Sequence, residues 1–156
     1  MTVEQSTTTN RRAIPADAEG IGRLYRQLIH RPGVEVLPER IAQIAADDNT
    51  AIFVSERDGR LWATALVSLC ADVMYRFQPY AVIENFVVDG SGRRRGIGTA
   101  LLNHVEEFCV AADCSKIMML SGVDRSTAHD FFERAGFNGS AKRGFVKYRR
   151  DMTSKA

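Results

Sequence analysis

Two glycines, Gly96 and Gly98, stand where a strand-like segment gives way to a long amphipathic helix. Before them, Phe86-Val87-Val88 is typical of a strand and Asp89-Gly90-Ser91-Gly92 of a loop. After them, apolar residues recur at helical spacing: Ile97, Leu101, Val105, Phe108 and Ala112. Glycine costs about 1 kcal/mol relative to alanine inside a helix, so two in one turn indicate a function. A strand, a glycine-containing turn and a helix in this order favour an α/β fold.

The turn has the features of a phosphate site. The first amides of a helix lack acceptors within the helix, and the helix dipole favours an anion there. Glycine lets an anion approach the backbone closely, and arginine supplies forked, charged donors. The alternative is a glycine-containing helix start with solvated arginines, which leaves the two glycines unexplained. We therefore predict a pyrophosphate site at Arg93, Arg94, Arg95, Gly96, Ile97, Gly98 and Thr99.

Two common phosphate-binding motifs do not fit this turn. A Walker loop requires Gly-Lys-Ser or Gly-Lys-Thr, and the chain has neither. A dinucleotide fingerprint requires a third glycine where Leu101 stands, and an early β-α-β unit that the chain does not show.

The remaining patterns predict a mixed α/β domain with a central sheet. Predicted strands cover residues 11–14, 50–56, 61–70, 80–88, 116–120 and 144–150. Predicted helices begin near Asp17, Pro38, Arg94 or Arg95, and Ser126, and Asp58-Gly59 is typical of a two-residue hairpin turn. We expect a disordered segment at residues 1–9 and one domain over residues 10–152.

Composition narrows the class of protein. The 156 residues carry a net charge of +2, which is too small to indicate a nucleic-acid partner. Three cysteines without a CxxC spacing predict neither a disulfide framework nor a metal site. No apolar run suits a signal peptide or a membrane span, so we expect a cytoplasmic protein that does not bind membranes.

Two segments together resemble a known family. Arg93-x-x-Gly96-x-Gly98, after Ile83 to Val88, resembles the acyl-CoA motif of the GNAT superfamily of N-acetyltransferases. Ala128 to Phe137 resembles the later Ala-x-x-Phe-Tyr-x-x-x-Gly-Phe helix of that superfamily, in the usual order and separation. The element order from Arg11 to Arg150 also matches, so the resemblance covers nearly the whole chain.

The resemblance implies an acyl-CoA N-acyltransferase (GNAT) fold: a sheet of six to seven strands with splayed central strands, flanked by about four helices. It implies that acetyl-CoA is the acyl donor, that no metal takes part, and that an amine of a small molecule or peptide is the acceptor. A homodimer is a further expectation. The residues implied to contact the donor, besides the turn, are Phe86, Val87, Val88, Ser126 and Phe132; for Phe132 a core position is the alternative.

Acetyl transfer requires a neutral amine, and an alkylamine has a pKa of about 10.4, so a base assists the reaction. Glu84 is the one acid in its predicted strand, where burial would bring a carboxyl group closer to neutral titration. In many similar enzymes a carboxylate at this place acts as base, directly or through water. The alternative is a Glu paired with a backbone amide or an arginine. Phe132 replaces the usual tyrosine acid, and none of Tyr75, Tyr80 and Tyr148 is placed well enough to be named instead.

Two other functions each account for part of the sequence. A non-catalytic acyl-CoA-binding or regulatory module would explain Phe132, but Glu84 argues against it. A nucleic-acid binder using the basic residues 142–150 lacks interleaved exposed aromatics and a recognition motif.

Overall fold

The computed structural model describes residues 7–93 and 95–153. Residues 1–6 of the predicted disordered segment, and Arg94 of the predicted phosphate site, lie outside this range. The chain divides into two compact units, residues 1–119 and 120–156. Its elements, in order, are β1 (Thr9–Arg12), α1 (Ala18–Leu28), α2 (Pro38–Ala45), β2 (Thr50–Arg57), β3 (Arg60–Cys70), β4 (Tyr80–Val88), α3 (Ile97–Ala111), β5 (Ile117–Met119) and α4 (Ser126–Arg134).

The first unit is one open sheet in the order β1-β2-β3-β4-β5. The first four strands pair antiparallel, and β4 pairs parallel with β5. The turn between β2 and β3 has φ +54° at Asp58 and +71° at Gly59, the backbone of a type I′ turn. The predicted hairpin turn at Asp58-Gly59 and the predicted bounds of β4 are both confirmed.

Helices cover both faces of the sheet in the first unit. On one face, Ile21 and Leu24 of α1 and Ile41 of α2 are buried in a cluster with Ile52 and Val54 of β2. On the other face, helix α3 packs against Phe53, whose ring lies 5.0 Å from that of His104 and 5.3 Å from that of Phe108. The alternation of Ile52, Phe53 and Val54 follows from the period of two in a strand.

Three predictions of regular structure differ from what the structure shows. A sheet of six to seven strands is not found; the residues that the structure describes form one of five, with four α-helices. Residues 144–148, predicted as a strand, have no regular structure, and a 3-10 turn follows at Arg149–Asp151. Helix α3 begins at Ile97, not at Arg94 or Arg95, because a 3-10 turn at Gly90–Gly92 and an extended Arg93 come first.

Candidate acyl-CoA site

The loop after β4 is anchored at its first residue, Asp89, whose side chain is buried. Its carboxylate accepts hydrogen bonds from Arg23 of α1, from Nη2 of Arg60 at 2.9 Å, and from the amide of Ser91 at 2.9 Å. Burial by itself would raise the pKa of Asp89, but the hydrogen bonds from Ser91, Arg23 and Arg60 outweigh it and hold the pKa well below its usual value. Asp89 therefore stays ionised and ties the loop to α1 and to β3.

Three further contacts hold the same loop. The amide of Gly90 donates to Oε1 of Gln27 at 2.9 Å. Gly92 packs so closely on Trp62 that an added Cβ would lie 2.5 Å from the indole ring. The guanidinium of Arg95 lies 5.9 Å from the centroid of the same ring. These contacts hold Gly90, Gly92 and Arg95 in place just before α3 begins.

The start of α3 is open, as a phosphate site requires. Gly96 has φ +74°, and an added Cβ there would meet no atom within 4 Å. The first helical hydrogen bond runs from the amide of Ala100 to the carbonyl of Gly96, at 3.0 Å. The amides of Ile97, Gly98 and Thr99 precede it and have no acceptor within the helix. Ile97 and Gly98 are buried, whereas Thr99 is exposed.

The positive side chains predicted at this site are exposed where the structure describes them. Arg93 and Arg95 both face solvent. These guanidinium groups and the helix dipole favour an anion at the same end of α3. The residues present therefore fit a pyrophosphate.

A β-bulge interrupts β4 just before the loop. Asn85 and Phe86 together oppose the single residue Ala65 of β3, and Asn85 has φ +54°. The side chain of Phe86 is buried, as is that of Val87. The extra residue of the bulge shifts the alternation of side chains by one position. Odd-numbered and even-numbered residues of β4 therefore exchange sheet faces across the bulge.

Backbone groups at the end of β4 point away from β3. The amide of Asp89 donates to the carbonyl of Trp62 at 2.7 Å, and Val88 opposite Ala63 is the residue between two such bonded positions. The pairing of β4 with β5 ends at Ile83, opposite Met119. The main chain of Val88 thus points to the side of β4 where an extended chain, such as a pantetheine arm, could pair with it.

Glu84 lies opposite Leu66, which lies opposite Ile52, so all three share the sheet face that α1 and α2 cover. The burial expected for Glu84 is wrong, because the side chain is exposed. A bound molecule or water can reach an exposed carboxylate. The proposal that Glu84 acts as base therefore rests on its accessibility and its position on this face, and not on burial.

Tyr25 and Asn85 form a pair that sequence reasoning did not identify. The side chain of Tyr25 in α1 is partly buried; burial raises the pKa of its phenol, while a hydrogen bond with the Asn85 side chain works in the opposite direction. Ile21, Leu24, Tyr25 and Leu28 recur at helical spacing, which indicates only that Tyr25 lies on the inner face of α1. The pair depends on the bulge that turns Asn85 toward α1, and no local sequence signal reveals such a bulge.

Ser126 and Phe132 belong to the second unit. Ser126 is the first residue of α4 and is exposed, and Arg125 occupies the cap position before it. Phe132 is buried, with its ring 5.3 Å from Phe131 and 6.2 Å from Phe137. These contacts are those of a core residue of that unit.

Cysteines and histidines show no arrangement for covalent or metal chemistry. Burial, followed by the proximity of Cys114, raises the pKa of Cys109 to about 12. That thiol stays protonated near neutral pH and is a poor nucleophile. Within residues 7–93 and 95–153, no group of three or more His, Cys, Asp or Glu side chains could hold a metal ion.

None of the helices in that part of the chain combines the length and apolar character needed to span a bilayer.

Solved structures share this fold. An Agrobacterium tumefaciens C58 protein assigned to the acetyltransferases has 31% identity and a TM-score of 0.81, covering 90% of this chain and 99% of that one. A glucosamine-6-phosphate N-acetyltransferase from Arabidopsis thaliana has 23% identity and a TM-score of 0.79, covering 92% and 99%. An aminoglycoside N-acetyltransferase in complex with CoA has 19% identity and a TM-score of 0.80, covering 96% and 99%.

No curated protein sequence is significantly similar to the chain. The model of the acetyltransferase (GNAT) family, however, matches residues 21–137, from the first turn of α1 to the end of α4. That span includes the anchored loop, the open helix start and the bulged strand. The chain belongs to the GNAT family of acetyltransferases.

Proposed function

We propose that the protein transfers the acetyl group of acetyl-CoA to a primary amine while both substrates are bound. The observation that carries the donor is the open start of α3, where Gly96 leaves free space and the amides of Ile97, Gly98 and Thr99 have no acceptor within the helix. Family membership and the fold shared with a CoA complex support the same donor. The main chain of Phe86 and Val88 would hold the pantetheine arm, and Ser126 and Phe132 stay proposed donor contacts of the second unit.

In the reaction, the amine nitrogen attacks the thioester carbonyl carbon, the C–S bond breaks, and the amine loses a proton. Glu84 accepts that proton, directly or through one water, since its exposed carboxylate lies on the face that α1 and α2 border. The departing thiolate, with a solution pKa of about 8.5 for a simple thiol, is protonated by solvent. Direct transfer needs no acyl-cysteine.

The test measures release of the CoA thiol from acetyl-CoA with a panel of primary amines. Glu84→Gln should lower kcat by about a hundredfold while leaving CoA affinity by calorimetry unchanged, because general base catalysis contributes roughly 10²–10⁴-fold. Glu107→Gln, which alters an exposed Glu of α3, is the matched control and should retain full activity. Tight CoA binding with no turnover on any amine would support a non-catalytic acyl-CoA-binding module instead.

A homodimer and a cytoplasmic location stay predictions that accompany this proposal. Sedimentation of the purified protein at two concentrations would check the first. Fractionation of cells that make the protein would check the second.

A further inference from the structure

A cavity of about 550 Å³ lies between α1, α2 and the sheet in the first unit. Its volume falls within the range of sites for small molecules. Most of its wall is aliphatic and comes from both helices, the segment between them and two strands: Ile21, Val36, Ile41, Ile44, Ile52 and Leu66. These walls resemble those of a site for an apolar ligand.

Six polar side chains also line the cavity: Tyr25, Glu35, Glu39, Arg40, Gln43 and Asn85. Asn85 belongs to the bulge of β4, and Leu66, which also lines the cavity, lies directly opposite Glu84 on the same sheet face. An amine held beside Asn85 and Leu66 would therefore lie near the proposed base and near the part of β4 that extends beyond its pairing with β5.

The charged side chains that line the cavity carry a small excess of negative charge. Glu35 and Glu39 contribute two exposed carboxylates, and the guanidinium of Arg40 donates from Nη1 to Oε1 of Gln43 at 2.9 Å. Two carboxylates against one guanidinium favour the approach of a protonated amine. The carboxylates attract the ammonium group, and the aliphatic wall favours an apolar substituent on that amine.

We infer that this cavity binds the acceptor and that the acceptor is a primary amine on an apolar body, such as an alkyl or aryl group. The inference rests on the proposed acetyl transfer. Hydroxyl groups of an amino sugar would lose hydrogen bonds to water wherever they meet Ile44, Ile52 and Leu66, because these aliphatic side chains offer no hydrogen-bond partner. An alkyl or phenyl group instead gains from leaving water. The hydroxyl of Tyr25, which lines the cavity together with Asn85, acts as a positioning group for the amine.

The first test compares amines at equal concentration with acetyl-CoA. Hexylamine and phenethylamine should show kcat/KM at least tenfold above glucosamine and neamine. Equal or higher values for glucosamine or neamine would overturn the apolar acceptor while leaving acetyl transfer intact. No transfer to any amine, with CoA still bound, would overturn both.

The second test fills the cavity. Ile44→Trp and, as a second variant, Val36→Phe should each lower kcat/KM for phenethylamine at least tenfold, with the Kd for CoA and the Tm close to wild type. Val110→Trp, on the exposed face of α3, is the control and should leave both substrates unaffected. Tyr25→Phe should raise KM for phenethylamine and leave CoA affinity unchanged. Full phenethylamine activity in both filled variants would overturn the placement of the acceptor.

Discussion

Asp89 Oδ2 lies 2.9 Å from Arg60 Nη2, which joins the first residue of the phosphate loop to the first residue of β3. Arg23 of α1 donates to the same carboxylate oxygen. The side chain of Asp89 is 4% exposed and that of Arg60 is 50% exposed, and hydrogen bonds between charged groups are stronger than those between neutral groups. The loop that precedes α3 is therefore held by two elements far from it in sequence.

Asp89→Asn should weaken CoA binding about tenfold, because a loop that is not held in place must be ordered when the ligand binds. Loss of the charge should also lower the free energy of unfolding by roughly 2 kcal/mol. Calorimetric titration with CoA and urea unfolding measure the two effects.

Asp17→Asn is the matched control for this variant. Asp17 is also buried and accepts two hydrogen bonds from Arg11, at 2.7 and 3.0 Å, but it lies at the start of α1. It should lose comparable stability and keep its CoA affinity. Equal losses of affinity in both variants would show that Asp89 acts only through general stability.

The stability of the protein should fall in acid through the same carboxylates. Burial opposes ionisation of Asp89 and Asp17, but their hydrogen bonds outweigh it and lower both pKa values below 3.8. The unfolded chain then binds more protons below this pH, so the stabilisation is complete above it and is lost as pH falls toward the lowered values. Urea unfolding from pH 6 to pH 2.5 should show this decline, and Asp89→Asn should make it shallower.

Gly92→Ala should lower the free energy of unfolding by about 1–3 kcal/mol, since its Cβ would lie 2.5 Å from the Trp62 ring. Acetyl-CoA KM should rise, because Trp62 also supports Arg95. Gly90→Ala in the same loop is the control, as its Cβ would come no closer than 3.7 Å to any atom. Thermal unfolding and initial rates would separate the two variants; identical behaviour would contradict the proposed packing.

Gly96→Ala should cost about 1–2 kcal/mol of stability, because alanine is strained at φ +74°. Its Cβ would enter the space proposed for phosphate, so CoA affinity should fall at least tenfold. Gly59→Ala imposes similar strain at φ +71° in an equally open turn. Unchanged CoA affinity in Gly96→Ala would argue against a phosphate at this helix start.

Local rules predicted the parts of the fold that depend on local chemistry. Asp58-Gly59 indicated its own turn. Gly136, with positive φ, and Phe137 end α4 in a Schellman motif, where the Phe137 amide donates to the carbonyl of Phe132 at 3.0 Å. The prediction of a strand at residues 144–150 is wrong, because β-propensity reflects packing against neighbouring strands. Phe145 there is 88% exposed.

The candidate site also has a part that local sequence predicts and a part that it does not. The glycines and arginines of the loop form a recognisable motif, because anion binding at a helix start needs only consecutive residues. The bonds that hold Asp89 join residues 29 and 66 positions apart, and no spacing rule connects them. The bulge at Asn85 likewise depends on the register between β3 and β4. Long-range pairing, not residue type, is what the sequence could not supply.

Helix α1 contacts both the loop that begins at Asp89 and the cavity. Arg23 and Gln27 bind that loop, whereas Ile21 and Tyr25, interleaved with them on the same eleven-residue helix, line the cavity. The distance between the loop and this wall of the cavity is therefore set by one continuous helix and not by a hinge. In the proposed reaction, the length of α1 between these side chains would fix the spacing between acetyl-CoA and the amine.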